Sequence, residues 1–448
     1  MLHKPSPVFD RIVERVSALP VIDCHEHMAG PAFMPAMHEP IAALILGYMP
    51  SDLISAYADP DTLLMLQDPD GDTEQKWPIF ETLWKRTEHT AYARVTKLVL
   101  RDVYGEPAMS LAALRRVGEQ LASRDEAFYL RVLDEANIQV ILSDVLNWQP
   151  DDLRQFLRGQ KTFPDRVRVM IQLPFFHVLK VHEISARDWE GVQLIGRCAD
   201  RHITSLDEFL EAVYEVMRQA KARGAVGIKD QSAYRRTLHY DVAPRSNAEQ
   251  IFNRLLADPR TVFGWPEAKP LDDFLFHQYM RFARELDLPV QLHTGHMAGI
   301  YNRVDKANAA HLTTVLELHQ QVRFDLFHGN WPYLDDLLFL VKNFPNAALD
   351  CCWLHIIDPL YAEETLERAV VTVPHVKIHG FGGDFVDAPE YSVAHLKIAR
   401  QVIASALADL VERGWLDESE ALGVAADWLF NNPNQFFRLG CEPVSAGL

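Results

Sequence analysis

The sequence predicts an α/β chain folded as a (β/α)8 TIM barrel with a helical insertion after its first strand. Three observations carry that prediction. Eight short, near-continuous apolar runs are spaced along the chain, as expected of parallel strands covered on both faces. The later runs alternate with segments of helical periodicity. Several runs end on a residue able to hold a metal ion, and in such a barrel the chemistry sits at the carboxyl ends of the strands.

Taken in order, residues 8–18 read as an amphipathic helix leading into a first strand at 19–25. Residues from about 30 to about 135 contain no clear strand, but show helical patterns near 40–67, 75–105 and 107–135 and a loop signature, Asp-Pro-Asp-Gly-Asp, at 68–72. Strands follow at 137–144 and at 166–174. A helix at 205–223 leads to a fourth strand at 224–230, and a helix at 271–286 to a fifth at 288–293. A helix at 309–320 precedes the sixth strand at 322–328, and a helix at 333–343 the seventh at 347–353. The eighth candidate is 375–384, and the tail at about 391–440 is helical. No Ser/Gly linker divides residues 1–448, so a single barrel domain is expected. A doubly wound open sheet would want a Gly-rich dinucleotide loop after a strand, and none is seen.

Bulk properties narrow the function. Hydrophobic residues make up 48% and charged residues 24%, a globular composition. The net charge of -18 disfavours nonspecific nucleic-acid binding and offers no basic patch to a membrane. No apolar run reaches the ~18 residues of a membrane helix, and Met1 to Pro7 lack the apolar core of a signal peptide. The five cysteines form no CxxC and no dense pattern, which fits a reducing cytoplasm. A small-molecule substrate is expected, with assembly into a homo-oligomer left open.

The candidate site follows from the strand ends. His25 and His27 stand two residues apart, so on a strand they share a face, where two imidazoles suit a zinc-class divalent ion. Lys229 ends the fourth strand. Its ammonium form cannot ligate, but the neutral amine could add CO2 and become a carbamate with two oxygens, a form favoured by burial beside a cation. The other role open to it is a plain cation holding a substrate carboxylate. His293 and His328 end the fifth and sixth strands. Asp384 follows Gly382 and Gly383 at the eighth; it could hold metal and also take a proton from water acidified by that metal. His296, Arg235, Trp331 and Tyr333 are candidate substrate contacts, Arg235 as a bidentate partner for a carboxylate. Trp353 and His355 are further pocket candidates, and His379 is expected in the core or behind the ligands.

This series resembles the amidohydrolase superfamily: HxH on strand one, Lys or Glu on strand four, His on strands five and six, Asp on strand eight. The segments 228–236, 291–295, 327–333 and 382–385 are similar to its amidohydrolase-2 branch, which includes domains fused to glutamine-synthetase-like proteins. The insertion and Val103-Tyr104-Gly105 also resemble uronate isomerases. The resemblance implies a metal-dependent hydrolase acting on an amide, lactone or ester bond of a small, carboxylate-bearing metabolite, with Asp384 and His328 as catalytic residues. It implies one or two ions: His25, His27 and Asp384 on one, His293 and His328 on the other, with a carboxylated Lys229 bridging. The alternative on the same residues is a sugar-acid isomerase or a metal-dependent decarboxylase.

Overall fold

A computed structural model describes residues 6–34, 37–121, 123–146, 149, 151–173, 180–181 and 191–445. Pro174, expected to end the third strand, and the first five residues of the N-terminal segment lie outside the described residues.

All eight expected strands form, as one parallel sheet in chain order: β1 Val21–Glu26, β2 Ile138–Ser143, β3 Val167–Gln172, β4 Gly227–Asp230, β5 Val290–Leu292, β6 Phe324–Leu326, β7 Ala347–Asp350 and β8 Ile378–His379. The ring closes through backbone beyond β8. Cys24 N–H donates to Phe381 O, Asp384 N–H to His25 O and His27 N–H to Phe385 O, at 2.9 to 3.0 Å. The eighth strand is therefore shorter than predicted. The chain leaves the β7 ladder after His379, and Gly380 turns to the Trp428 carbonyl.

Closure requires a bare backbone at Gly383, where an added Cβ would lie 1.8 Å from the Glu26 carboxylate. A two-residue ladder, Lys180–Val181 with Val262–Phe263, stands outside the barrel and was not anticipated.

The insertion is helical but more broken than its periodicity suggests. Prolines at 40, 50 and 60 each sit in a first helical turn, dividing 40–67 into Pro40–Leu44, Met49–Ser55 and Pro60–Gln67. Proline is tolerated there because the first turn needs no internal donor. Thr73–Thr87, Ala91–Leu98, Leu111–Leu121 and Glu126–Glu135 complete it. Glu39 organises this layer: it caps Ile41 and Ala42 and accepts 2.7 Å from buried Lys76. The helix before β5 runs Trp265–Glu285, six residues earlier than predicted, with Pro270 inside its second turn. The helix predicted at 309–320 is a 3-10 turn, Ala309–Leu312, followed by Thr313–Leu318. Helices Asp152–Leu157, Val192–Cys198, Arg245–Ala257 and Pro359–Thr372 were not predicted.

C-terminal helices complete the barrel. Pro389–Glu412 packs against the N-terminal helix Pro7–Ala18 and is buried along most of its length. Phe430 and Phe437 join Ile22, Val140, Leu142 and Met170 in a separate apolar cluster.

Candidate metal centre

Two groups of side chains meet at the carboxyl ends of the strands. In the first, His25 Nε2 and His27 Nε2 lie 3.4 and 3.1 Å from the same oxygen, Asp384 Oδ1, and the two rings meet edge-on with centroids 5.0 Å apart. His27 Nδ1 rests on Asp144 at the end of β2. Gln231 donates to the other Asp144 oxygen at 2.7 Å. A carboxylate behind an imidazole fixes which ring nitrogen carries the proton and leaves the other as a ligand.

In the second group, His328 Nδ1 bonds Cys352 O at 2.8 Å and His293 Nε2 bonds His296 O at 2.7 Å. A carbonyl only accepts, so both of those nitrogens carry hydrogen and the opposite nitrogens of the neutral rings are lone pairs. Those two, His328 Nε2 and His293 Nδ1, face one another at 3.3 Å. Two imidazole nitrogens on one tetrahedral zinc-class ion stand roughly 3.3 Å apart, from bonds of ~2.0–2.1 Å. A cation between them removes the repulsion, and the donor set fits it.

His25 makes the same point differently. It is fully buried and neither ring nitrogen has a hydrogen-bond partner. Buried polar atoms are normally satisfied, and a metal ion would meet one of these two nitrogens.

Lys229 lies between the groups. It is 1% exposed, and its Nζ is 4.3 Å from the centre of the Phe327 ring, whose neighbours at 5.0 and 5.2 Å are the His25 and His328 rings. The electrostatics agree with this arrangement. Burial, then the charge of Lys229, brings the His25 pKa down to about 3. Burial brings His328 to about 4 and pushes His293 well below its ordinary value. These three rings are neutral at pH 7, as ligands must be. Burial also opposes charge on His27, but Asp144 and Asp384 outweigh it and hold the pKa up at about 10. For Asp384 burial acts upward, yet His27, His25 and His328 hold it well below the usual carboxylate range.

Backbone strain concentrates here. His328 and Asp384 have φ of 59° and 64°, as do Asn330 and Trp353 at 52° and 60°. Each such non-glycine residue costs on the order of 1–3 kcal/mol, a cost that clusters at functional sites. Gly295, at φ 69°, passes so close to Asn330 and Trp331 that a Cβ would lie 2.6 Å from their backbone.

His25, His27, Lys229, His293, His328 and Asp384 are thus brought together. His296 and Trp331 line a neighbouring cavity of about 600 Å³. Tyr333 and Arg235 are not among its lining residues: the Tyr333 hydroxyl bonds Val304 O at 3.3 Å, and Arg235 closes the turn Ser232–Tyr234 after β4. Trp353 stacks on Tyr48 with centroids 4.1 Å apart. His355 is fully buried and bonds Gly380 O at 2.9 Å, away from the pocket. Sequence reasoning missed Asp144, although it follows a strand end as the other candidate ligands do. It also missed Tyr48 and Tyr92 from the insertion. The Tyr48 hydroxyl donates to the Asp384 carbonyl, and Tyr92 OH lies 3.4 Å from His296 Nε2.

Residues 201–409, which span β4 to β8, match the family described as Amidohydrolase. Over that segment, and in the architecture of its barrel, the chain is similar to the amidohydrolase superfamily. Protein fluG of Emericella nidulans is 30% identical over 243 residues, covering 50% of this chain and 27% of fluG, so the chain matches only about a quarter of that relative. A uronate isomerase of Thermotoga neapolitana is 20% identical over 329 residues, 68% of this chain and 71% of that protein. A solved Lactobacillus casei protein, titled as a proposed metal-dependent hydrolase, superposes with TM-score 0.64 at 18% identity, over 96% of this chain and 98% of that one. Among the described residues no helix is long and apolar enough to cross a membrane.

Proposed function

We propose that the chain is a metal-dependent hydrolase that cleaves a C–N or C–O bond of a small metabolite with water. The observation that carries this reading is the pair of opposed lone pairs on His293 and His328, 3.3 Å apart, beside a second donor group of His25, His27 and Asp384. Five donors and Lys229 exceed what one four-coordinate ion requires, and a second ion suits attack by water on a carbonyl. Bound divalent ions would polarise the carbonyl oxygen and lower the pKa of water toward ~7.

The chain's own residues do the rest. The Asp384 carboxylate takes the proton of the attacking water and passes it to the leaving nitrogen or oxygen, as general acid–base chemistry requires. His328, fixed through Nδ1, keeps the Nε2 lone pair turned into the centre, 3.3 Å from His293 Nδ1 and 4.0 Å from Asp384 Oδ2, where a bound ion would join it to that carboxylate. Lys229, as a carbamate, would add two oxygens between the donor groups. Tyr48 and Trp353 close the aromatic side of the site and limit water access.

A second reading, sugar-acid isomerisation, is favoured by the sequence match to a uronate isomerase over 68% of the chain. One measurement separates the two. We expect metal analysis of the zinc-reconstituted protein to give two ions per chain, with a carbamate at Lys229 in an experimental map. One ion and an unmodified amine, with turnover of uronates but not of lactones or N-acyl compounds, would establish the isomerase instead.

A further inference from the structure

The cavity beside the metal centre has a composition of its own. One wall is the insertion helix Met49–Ser55, which presents Asp52; the other is the segment after β5, with His296 and Tyr301. Tyr92 and Trp331 complete an aromatic lining, in which the His296 and Trp331 rings meet perpendicularly at 5.4 Å. The described lining residues include no lysine or arginine. Asp52 is partly buried, accepts 2.5 Å from the Thr90 hydroxyl, and has no lysine or arginine among its described partners. The cavity joins the metal centre at His296, whose carbonyl holds His293.

A cavity that carries aromatic rings and a carboxylate suits a cationic ligand group: ring quadrupoles attract the charge and the carboxylate neutralises it. We propose that this cavity receives an ammonium group on the amine portion of an amide substrate, so that the protein hydrolyses amides of amines bearing a second, protonated nitrogen. The inference rests on the hydrolase reading above and gives its substrate a class. The reaction balances without a further reagent. Water adds to the carbonyl carbon, the C–N bond breaks, Asp384 carries the water's proton to the departing nitrogen, and an acid and a diamine leave. The ammonium in the cavity is unchanged throughout.

The test compares two amides of equal shape, N-(4-aminobutyl)acetamide and N-pentylacetamide, with the zinc-loaded full chain. Wild type should favour the cationic amide in kcat/KM by about tenfold or more, mainly through KM, since one desolvated cation–aromatic and carboxylate contact is worth roughly that factor. Asp52→Asn should bring the ratio below about threefold. Tyr301→Asn should lower it in the same direction, and its 95% exposed ring at φ 60° makes misfolding no explanation. Equal turnover of the two amides by wild type, or a ratio that neither variant moves, overturns the cavity assignment while leaving hydrolysis intact. If neither amide is cleaved, titration with 1,4-diaminobutane followed by tryptophan fluorescence decides. Saturable quenching that weakens in Asp52→Asn keeps the cation site and overturns hydrolysis of these amides; absence of quenching overturns the site.

Discussion

Two layers of buried polar side chains lie within this barrel, and they are built on opposite terms. The mouth holds His25, His27, His293, His328 and Asp384. The layer beneath holds Gln291, Asp325, Asp350 and His379, all fully buried. In the lower layer each side chain has at least one hydrogen-bond partner, although the atoms Gln291 Oε1, Asp350 Oδ2 and His379 Nε2 have none. Gln291 donates to Cys24 O at 2.8 Å and to Asp325 at 3.3 Å, His379 Nδ1 bonds Asp325 at 2.9 Å, and Asp350 accepts from Cys352 N–H at 2.6 Å. In the upper layer, lone pairs of separate histidines are turned toward each other and neither ring nitrogen of His25 has a hydrogen-bond partner. The difference is convergence: lower-layer side chains bond one another and so specify a packing, whereas the upper-layer lone pairs of His293 and His328 face each other as the donors of an ion would.

The largest expected effect tests the mouth directly. His328→Ala should remove at least one ion per chain, read by atomic emission, and abolish turnover; unchanged metal content would collapse the contrast between the layers. Asp384→Asn keeps an oxygen but not a proton acceptor, so it should retain much of the metal while turnover falls by about 10²–10⁴-fold. Near-wild-type turnover would place the proton carrier elsewhere, with His296 the next candidate.

Asp144→Asn removes the carboxylate behind His27, and zinc affinity measured by chelator competition should fall by about 10–100-fold. The same competition at pH 6, 7 and 8 should show affinity rising with pH by up to about tenfold per unit. The sign follows from His27, whose pKa of about 10 means a proton must leave before Nε2 can ligate. His25 and His328, at about 3 and about 4, are already neutral in that window and add no slope. A flat profile would remove His27 from the ligand set.

The smallest effect belongs to the lower layer. Asp325→Ala leaves His379 and Gln291 short of a partner and should cost about 1–3 kcal/mol of stability by denaturant unfolding, with zinc affinity unchanged. Loss of metal in this variant would merge the two layers into one functional unit.

Much of this organisation was legible in the chain. Period and apolar runs located all eight strands, because a strand buried on both faces leaves an uninterrupted apolar signature. Strand ends located six of the residues at the centre, because barrel topology brings distant carboxyl ends together. Asp144 follows the end of β2 by the same logic and was overlooked for want of a second ligand nearby in sequence. Arg235 and Tyr333 were read as pocket residues from their proximity to motifs, and proximity does not fix direction. The four unpredicted helices are short or carry a weak apolar face, so periodicity could not separate them from loops.

By itself, then, the sequence determined the barrel, the order of its strands and the residues at their ends, since these depend on local pattern and on a topology that pattern implies. Only the tertiary structure decided which nitrogen of each histidine faces inward, because that depends on the backbone carbonyls of Cys352 and His296 and on the carboxylate of Asp144. It alone decided that the insertion brings Tyr48 to Asp384 and Tyr92 to His296, across 336 and 204 residues of chain. Contacts of that kind leave no periodic trace, since they are set by where packed helices come to rest and not by the spacing of residues along any one of them.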